Sequence, residues 1–555
     1  MSALWEKLFS GKRARRGRQP DSTSGGSDTR QLVDGLSATR GLPSTNSEDS
    51  ACRCRPESAP HAARAFGWSV WPCLAIGVAA LAGCRVGPEY VRPDAPVPEV
   101  WSSELVRGLT AEETDPCVLA SWWTTLDDPA LSRMIEQAVE GNLDIATARS
   151  RVRQARAQRQ IAQGGLLPAF NTGASATSSR ADRRNGFDTS GQVYSASLDA
   201  GWELDLFGGV HRSVEAATAN LESVEASLHD ILISLLAETA LNYVDVRTYQ
   251  SRIAAAEASL KAQEDTYQLV LWRVEAGLGD ELAAQQARYN LENTRSQIPN
   301  LRTGLQQAKN RLAVLLGRTP GALDEELEQT EPVPVPSARI AVGVPADVVR
   351  RRPDVRQAER ELAAQTARVG AAVSDLYPQL RLNGSVGIET LSFREPASSR
   401  TWTASGGPRL SWAIFDPTVR PNIEVQSALQ EQALIQYRAV VLSSLEEVEN
   451  AMIAYVQEQQ RRENLREATE AAQAAAELAQ FQYQAGLRDF SDVLDAERSL
   501  LSFQDQLRQS DGVVTANVIR LYKALGGGWT SMAEKGDILL FSLSAPPTDD
   551  SLGKK

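Results

Sequence analysis

Two carboxylates three residues apart, Asp492 and Asp495, follow a turn built on Gly486. Residues i and i+3 share one helix face, so the two charges are presented together. Exposed carboxylates so arranged can hold a proton or attract cations. The turn, Tyr483-Gln484-Ala485-Gly486-Leu487-Arg488, has an earlier counterpart in Ala276-Gly277-Leu278, 209 positions before it, followed by the acids Asp280 and Glu281. Gly277 and Gly486 suit the left-handed residue that ends a helix. A second reactive group is the thiol of Cys84, which closes the run Leu81-Ala82-Gly83-Cys84. Covalent catalysis finds no support. His61, His211 and His229 are scattered, Cys52-Arg53-Cys54 has the wrong spacing for zinc, and there is neither a phosphate-binding glycine loop nor a nucleophile elbow.

The turns need helices to carry them, and the chain supplies long ones. From Gly208 to Arg273, and again from Thr418 to Phe481 after Pro421, no proline interrupts the helical pattern. Each run forms about 60 residues of helix, some 90 to 100 Å long. The seams Leu221, Val224, Leu228, Ile231, Leu235 and Val441, Leu445, Val448, Met452, Tyr455 step by three and four, as helices packing in coiled-coil fashion require. Helices near 130 to 163 and 281 to 316 are about half as long, so two stacked end to end match one long helix.

The chain is a tandem duplication. Asp144-Ile145 aligns with Asp354-Val355, Pro168 with Pro378 and Trp202 with Trp412 at an offset of 210, which becomes 209 at the later turns. Each half reads helix, strand, strand, long helix, turn, helix. Between Tyr194 and Leu206, Tyr, Ala, Leu and Trp occupy the even positions, and Ser, Asp, Gly and Glu the odd ones. The run from Gln379 to Glu389 alternates likewise, and weaker alternation covers Pro168 to Thr177 and Trp402 to Phe415. Strands apolar on one face and polar on the other suit a membrane barrel with a wet lumen or a half-buried soluble sheet, and the recurrent carboxylates favour the barrel. Four strands are too few to close a barrel, since about eight is the smallest membrane example, so several chains must share one.

Formal charge is −12 over 555 residues, and residues 1 to 83, with 11 basic and 7 acidic side chains, leave −16 for the remainder. So acidic a chain argues against nucleic acid as a partner. Its five cysteines define no disulfide framework. Residues 1 to 60, rich in Ser, Gly, Arg and Pro, read as disordered or as a start codon placed too early. Residues 61 to 83 read as a signal peptide, with Arg64 ahead of an apolar run from Phe66 to Leu81 that is short for a membrane span.

Leu-Ala-Gly-Cys resembles the lipobox of bacterial lipoproteins. That likeness implies cleavage before Cys84, with diacylglycerol on its thiol and an acyl chain on its new amine, and no other cofactor. Arg85 in place of aspartate implies export to the outer membrane. Gly87-Pro88-Glu89-Tyr90-Val91-Arg92-Pro93, Trp122-Trp123, Asp128-Pro129-Ala130-Leu131, Asn142-Leu143-Asp144-Ile145 and Arg351-Arg352-Pro353-Asp354-Val355 together resemble the outer-membrane efflux lipoproteins, the TolC/OprM-like family. The resemblance runs from Cys84 to Gly526. It implies an α+β fold of two repeats, in which a long helical periplasmic barrel continues a trimeric twelve-stranded outer-membrane β-barrel, four strands per protomer, with a mixed equatorial belt. The corresponding divisions are an anchor segment over 84–129, a first repeat over 130–318, a linker over 319–345, a second repeat over 346–526 and a tail over 527–555.

The function so implied is the exit duct of a tripartite efflux pump, without enzymatic activity, joined through a periplasmic adaptor to an inner-membrane transporter of the resistance-nodulation-division class. A type I protein-secretion duct uses the same architecture, and a structural periplasmic coiled-coil lipoprotein is the poreless alternative. By the same resemblance Tyr483 and Arg488 match positions that tie an inner, moving hairpin closed, and Asp492 and Asp495 match constricting acidic rings. The position matching Asp492 in the first repeat is Ala283, where related channels often carry aspartate. Arg488 is therefore expected to pair with Asp280 or Glu281. Trp122 and Trp123 are expected to anchor the belt, which the linker with Pro332, Pro334 and Pro336 and the tail would complete.

Overall fold

The computed structural model describes residues 85–94, 97–112, 115–181, 189–334, 336, 339–391 and 400–529. The N-terminal extension, the signal segment with Cys84, the strand-joining loops at 182–188 and 392–399, and the tail beyond Trp529 lie outside the described residues.

The four alternating runs form strands β1 (Ala169–Ala181), β2 (Thr189–Leu204), β3 (Gln379–Thr390) and β4 (Arg400–Ser411). They make one antiparallel sheet in chain order, in which β2 pairs with β3 across the two repeats. Register sorts the side chains into two faces. Leu198 lies opposite Thr172 and Val386, and Trp202 opposite Leu382, whereas Asp199 lies opposite Asn171 and Ser385, and Glu203 opposite Arg381. Phe170, Leu198, Val386, Trp402 and Leu410 on the apolar face are exposed within one chain. The edge strands β1 and β4 each pair on one side only. Among the described residues no helix is long and apolar enough to cross a membrane.

After short helical turns at Pro116–Ala120 and Trp122–Leu126, the helices among the described residues are α1 (Pro129–Gly141), α2 (Leu143–Gly164), α3 (Gly209–Glu275), α4 (Glu281–Leu315), α5 (Pro345–Arg351), α6 (Pro353–Ser374), α7 (Val419–Gln484) and α8 (Phe490–Ala524). Helices α3 and α7 have 67 and 66 residues, each about 100 Å at 1.5 Å per residue. Helix α4 runs on through Pro299. The single helix expected near 130 to 163 is instead two. Asn142 interrupts it in extended conformation, its side-chain oxygen accepting from the Asp144 and Ile145 N–H groups at 2.8 and 3.1 Å while its amide donates to Leu315 O at 2.9 Å. A cap that also ties two helices together outweighs one more turn of continuous helix.

The duplication is visible in matched contacts. Trp202 donates its indole N–H to Leu166 O at 3.0 Å, and Trp412 donates to Leu376 O at 3.1 Å, so in each repeat the end of the second strand is tied to the chain entering the first.

The main core lies where the N-terminal segment and the linker meet α3, α7 and α8. Residues Leu109–Thr110 pair in parallel with Ile340–Ala341 of the linker. Trp122 is fully buried, stacked on Tyr522 at 5.6 Å and edge-on to Trp123 at 5.9 Å. Tyr243 on α3 donates to Asp128 at 2.6 Å and accepts from Arg247 at 3.0 Å, and buried Arg247 reaches Gln329 O at 2.8 Å and the Glu331 carboxylate of the linker. Arg352, in the Arg351-Arg352-Pro353-Asp354 motif, binds Asp354 with two nitrogens, Glu447 at 2.7 Å and Ala524 O at 2.6 Å. That motif therefore ties the start of α6 to α7 and to the C-terminal end of α8.

Candidate functional site at the helix turns

Both turns close in the same way. Gly277 and Gly486 have φ of +71° and +73°. Leu278 N–H returns to Arg273 O at 2.8 Å and Leu487 N–H to Gln482 O at 2.9 Å, with the glycine N–H groups on Val274 O and Tyr483 O. This six-to-one bond with a glycine in the left-handed region is what ends both long helices and lets α4 and α8 reverse direction. Any residue with a Cβ is strained at these two positions.

The hairpins then meet in a small core of their own. Val270 of α3, Ala284 and Ala287 of α4, Tyr483 of α7, and Phe490, Val493 and Leu494 of α8 are buried together, well away in sequence from the main core. Tyr483 lies against Phe490, with ring centroids 5.2 Å apart. Arg273, in the last turn of α3, sets its guanidinium 4.6 Å from the centre of the Tyr483 ring and donates to Tyr483 O at 3.1 Å. Burial pushes the Tyr483 hydroxyl up from its ordinary pKa, and the Arg273 charge opposes that shift.

The acidic groups sit differently. Asp492 and Asp495 are 45% and 79% exposed, so they decorate the outside of α8 and leave the core to apolar residues. Arg488, in the turn that precedes α8, donates to Asp492 in the first turn of that helix at 3.3 Å, and Arg498 lies 3.7 Å from Asp495. Within one chain, among the described residues, Arg488 does not reach Asp280 or Glu281. Asp280 caps α4 by accepting from Leu282 N–H at 3.2 Å, and Glu281 accepts from Gln285 at 2.9 Å. Each of these carboxylates has a partner within one turn, and an i,i+4 partner costs Arg488 less side-chain order than one on another hairpin.

Sequence reasoning missed Arg273, Phe490 and the polar seam above them. The seam places Thr266 of α3 on Glu497 of α8 at 3.1 Å, with Asn290 of α4 accepting from Arg498 at 3.1 Å. Burial raises the Glu497 carboxyl, and the Thr266 hydroxyl opposes that rise. One signal was available for Arg273, namely a basic residue in the last turn of a helix.

At the opposite end of the helices, a groove of about 790 Å³ lies where the sheet meets α2, α3, α6 and α7, lined by Glu203, Arg368 and Asp375 together with Ile161, Val210 and Ala371. Glu203 belongs to the polar face of β2, so that face reaches the groove at its edge.

The sequence pattern described as "Outer membrane efflux protein" matches residues 134–318 and 344–527. "Nodulation protein T" of Rhizobium leguminosarum bv. viciae is 32% identical over 454 residues, covering 81% of this chain and 92% of that protein. "Cation efflux system protein CusC" of Escherichia coli O6:H1 is 28% identical over 463 residues, covering 82% of this chain and 98% of that protein. Among solved structures, the outer-membrane channel OprN is 34% identical with a TM-score of 0.75, over 80% of this chain and all of OprN.

Proposed function

The chain belongs to the outer membrane efflux protein family and is an outer-membrane efflux channel; from that premise we propose how its copies close, what gates them and what they join. The observation that carries the proposal is the four-stranded sheet, apolar on one exposed face, polar on the other and unpaired at both edges. Lipid tolerates no unpaired strand edge, so β1 of one copy must meet β4 of the next. Three copies give twelve strands, with the polar faces turned to a wet lumen.

Passage through the channel needs no chemistry from the chain and no bound cofactor. The duct conducts small molecules passively, driven by an inner-membrane transporter of the resistance-nodulation-division class through a periplasmic adaptor. Leu278, Leu282, Phe481 and Leu487 are exposed at the tips and offer that adaptor an apolar seat. The hairpin of α7 and α8 is the inner one, and it places Asp492 and Asp495 of three copies around the axis. Like charges gathered there attract cations and disfavour anions.

The lipid anchor has support from the residue after it in sequence. Arg85 lies against Gly208 at the junction between β2 and α3, and Val86 N–H donates to Phe207 O at 3.2 Å. The described chain thus begins at the level where the sheet gives way to helix, the level at which a sheet crossing lipid meets the membrane surface. Several acyl chains anchor stably where one does not. Replacing Cys84 with alanine is expected to abolish labelling by radioactive palmitate, and persistent labelling would refute the anchor.

Purified protein reconstituted in a planar bilayer tests the duct. Ion conductance with cation preference is expected, and Asp492→Ala with Asp495→Ala should weaken both that preference and block by divalent cations. A protein that never conducts contradicts the reading, and unchanged selectivity in the double variant removes the acidic pair from it.

A further inference from the structure

We propose that Arg273 is the latch between the two hairpins of one protomer, a positioning residue for opening that acts through the ring and the last-turn carbonyl of Tyr483; this deepens the duct reading and rests on it. Three observations meet at this side chain. Its guanidinium lies 4.6 Å from the Tyr483 ring centre, a distance at which a cation is held by the ring face. One of its terminal nitrogens donates to Tyr483 O at 3.1 Å, and that same oxygen accepts the N–H of Gly486 at 3.0 Å. Its Nε is buried without a partner among the described residues, so the whole attachment runs through Tyr483.

The carbonyl is well chosen for the purpose. It belongs to the last turn of α7, where the helix carries its partial negative charge, and a cation there is favoured. It also helps close the glycine turn that starts α8. Arg273 of the first hairpin therefore grips the second at the point about which α7 and α8 reverse. Tyr483 is only 8% exposed, which excludes much of the water that would otherwise weaken the attraction.

The residue singled out from sequence cannot do this within the protomer. Arg488 and Asp492 are both well exposed and lie on one hairpin, so their ion pair joins nothing across the tip. The Tyr483 hydroxyl makes no hydrogen bond within the described chain, and the tyrosine acts through its ring and backbone.

The test is single-channel conductance of the full-length protein, purified from outer membranes, in planar bilayers. Arg273→Ala should raise conductance several-fold over wild type. Arg273→Lys, which keeps a cation over the ring and a donor for the carbonyl, should restore most of the closed behaviour. Tyr483→Phe should stay as closed as wild type, and Tyr483→Ala should open. Oligomer mass and thermal midpoint are measured on every variant, and if Arg273→Ala does not assemble, Arg273→Met takes its place. Wild-type conductance in the assembled Arg273→Ala or Arg273→Met protein overturns the latch and leaves the duct standing. So does a Tyr483→Phe channel as open as Arg273→Ala, because the hydroxyl would then carry the tie. Absence of conductance in every protein, wild type included, overturns the duct and the latch together.

Discussion

Helices α3 and α7 come from equivalent places in the two repeats and differ by one residue in length, yet a single chain satisfies only one of them. Helix α3 packs chiefly against α1, α2, α4, α6 and α8, and buries Leu236, Tyr243, Val244 and Val246 completely. Helix α7 packs chiefly against α6 and α8, and leaves Ile435, Leu442 and Ile453 exposed. Spaced by 7 and 11 residues, these three form one stripe along the helix. The belt explains part of the difference, because Asp128 and the linker clamp α3 at Tyr243 and Arg247. Duplication thus produced one helix completed by its own chain and one whose apolar stripe that chain leaves uncovered.

The contrast is broken most severely on α7. Ile435→Glu combined with Leu442→Glu should abolish the oligomer while the separate chain keeps its helical circular dichroism, since two carboxylates buried between copies without partners are strongly unfavourable. Sedimentation of the detergent-solubilised protein reads this, and a persisting oligomer would mean that the stripe faces lipid or water.

The matching change on α3 strikes the chain itself. Leu236→Ala should cost about 2 to 5 kcal/mol of stability, the range for emptying a fully buried leucine site. Tyr243→Phe removes the 2.6 Å bond to the Asp128 carboxylate and should cost about 1.5 to 3 kcal/mol, as for hydrogen bonds to charged partners. Both are read from the shift in unfolding midpoint, and if either change proved as mild as an exposed substitution on α7, the two helices would not differ as argued.

The smallest effect sharpens the comparison at the tip, where α3 meets α8. Burial holds the Glu497 carboxyl above its ordinary pKa, so the folded chain binds this proton more readily than the unfolded one. Stability contributed by that proton is fully present below the ordinary value of about 4.3 and is lost as pH rises through the raised one. Glu497→Gln, which still accepts from Thr266, should stabilise the tip slightly at neutral pH and flatten the pH dependence in that window. An unchanged profile would show that Glu497 is hydrated there.

Much of this architecture was legible in the residues. The strands announce themselves because a pleat with one wet and one apolar face forces a period of two, and the observed register places Leu198 with Val386 and Asp199 with Ser385 accordingly. The long helices were legible through the absence of proline over each run. The break at Asn142 was not, because apolar periodicity continues across it and only the bond to Leu315 O reveals the cap as a joint. At the tip, the glycine turns and the exposure of the acids could be read, but the partners could not. Within one chain Arg488 takes Asp492, four residues on, and residue types alone do not rank that carboxylate above Asp280 or Glu281. Arg273 offers only its place in the last turn of a helix, because the backbone oxygen and ring face that it binds, 210 positions distant, leave no mark in residue type.

The claim that one chain supplies a third of a closed barrel is tested most directly by native mass spectrometry of the lipidated protein released from detergent. A particle of three chains is expected, and it should fall apart when the α7 stripe is charged. A single chain that remains folded and conducts on its own would contradict it.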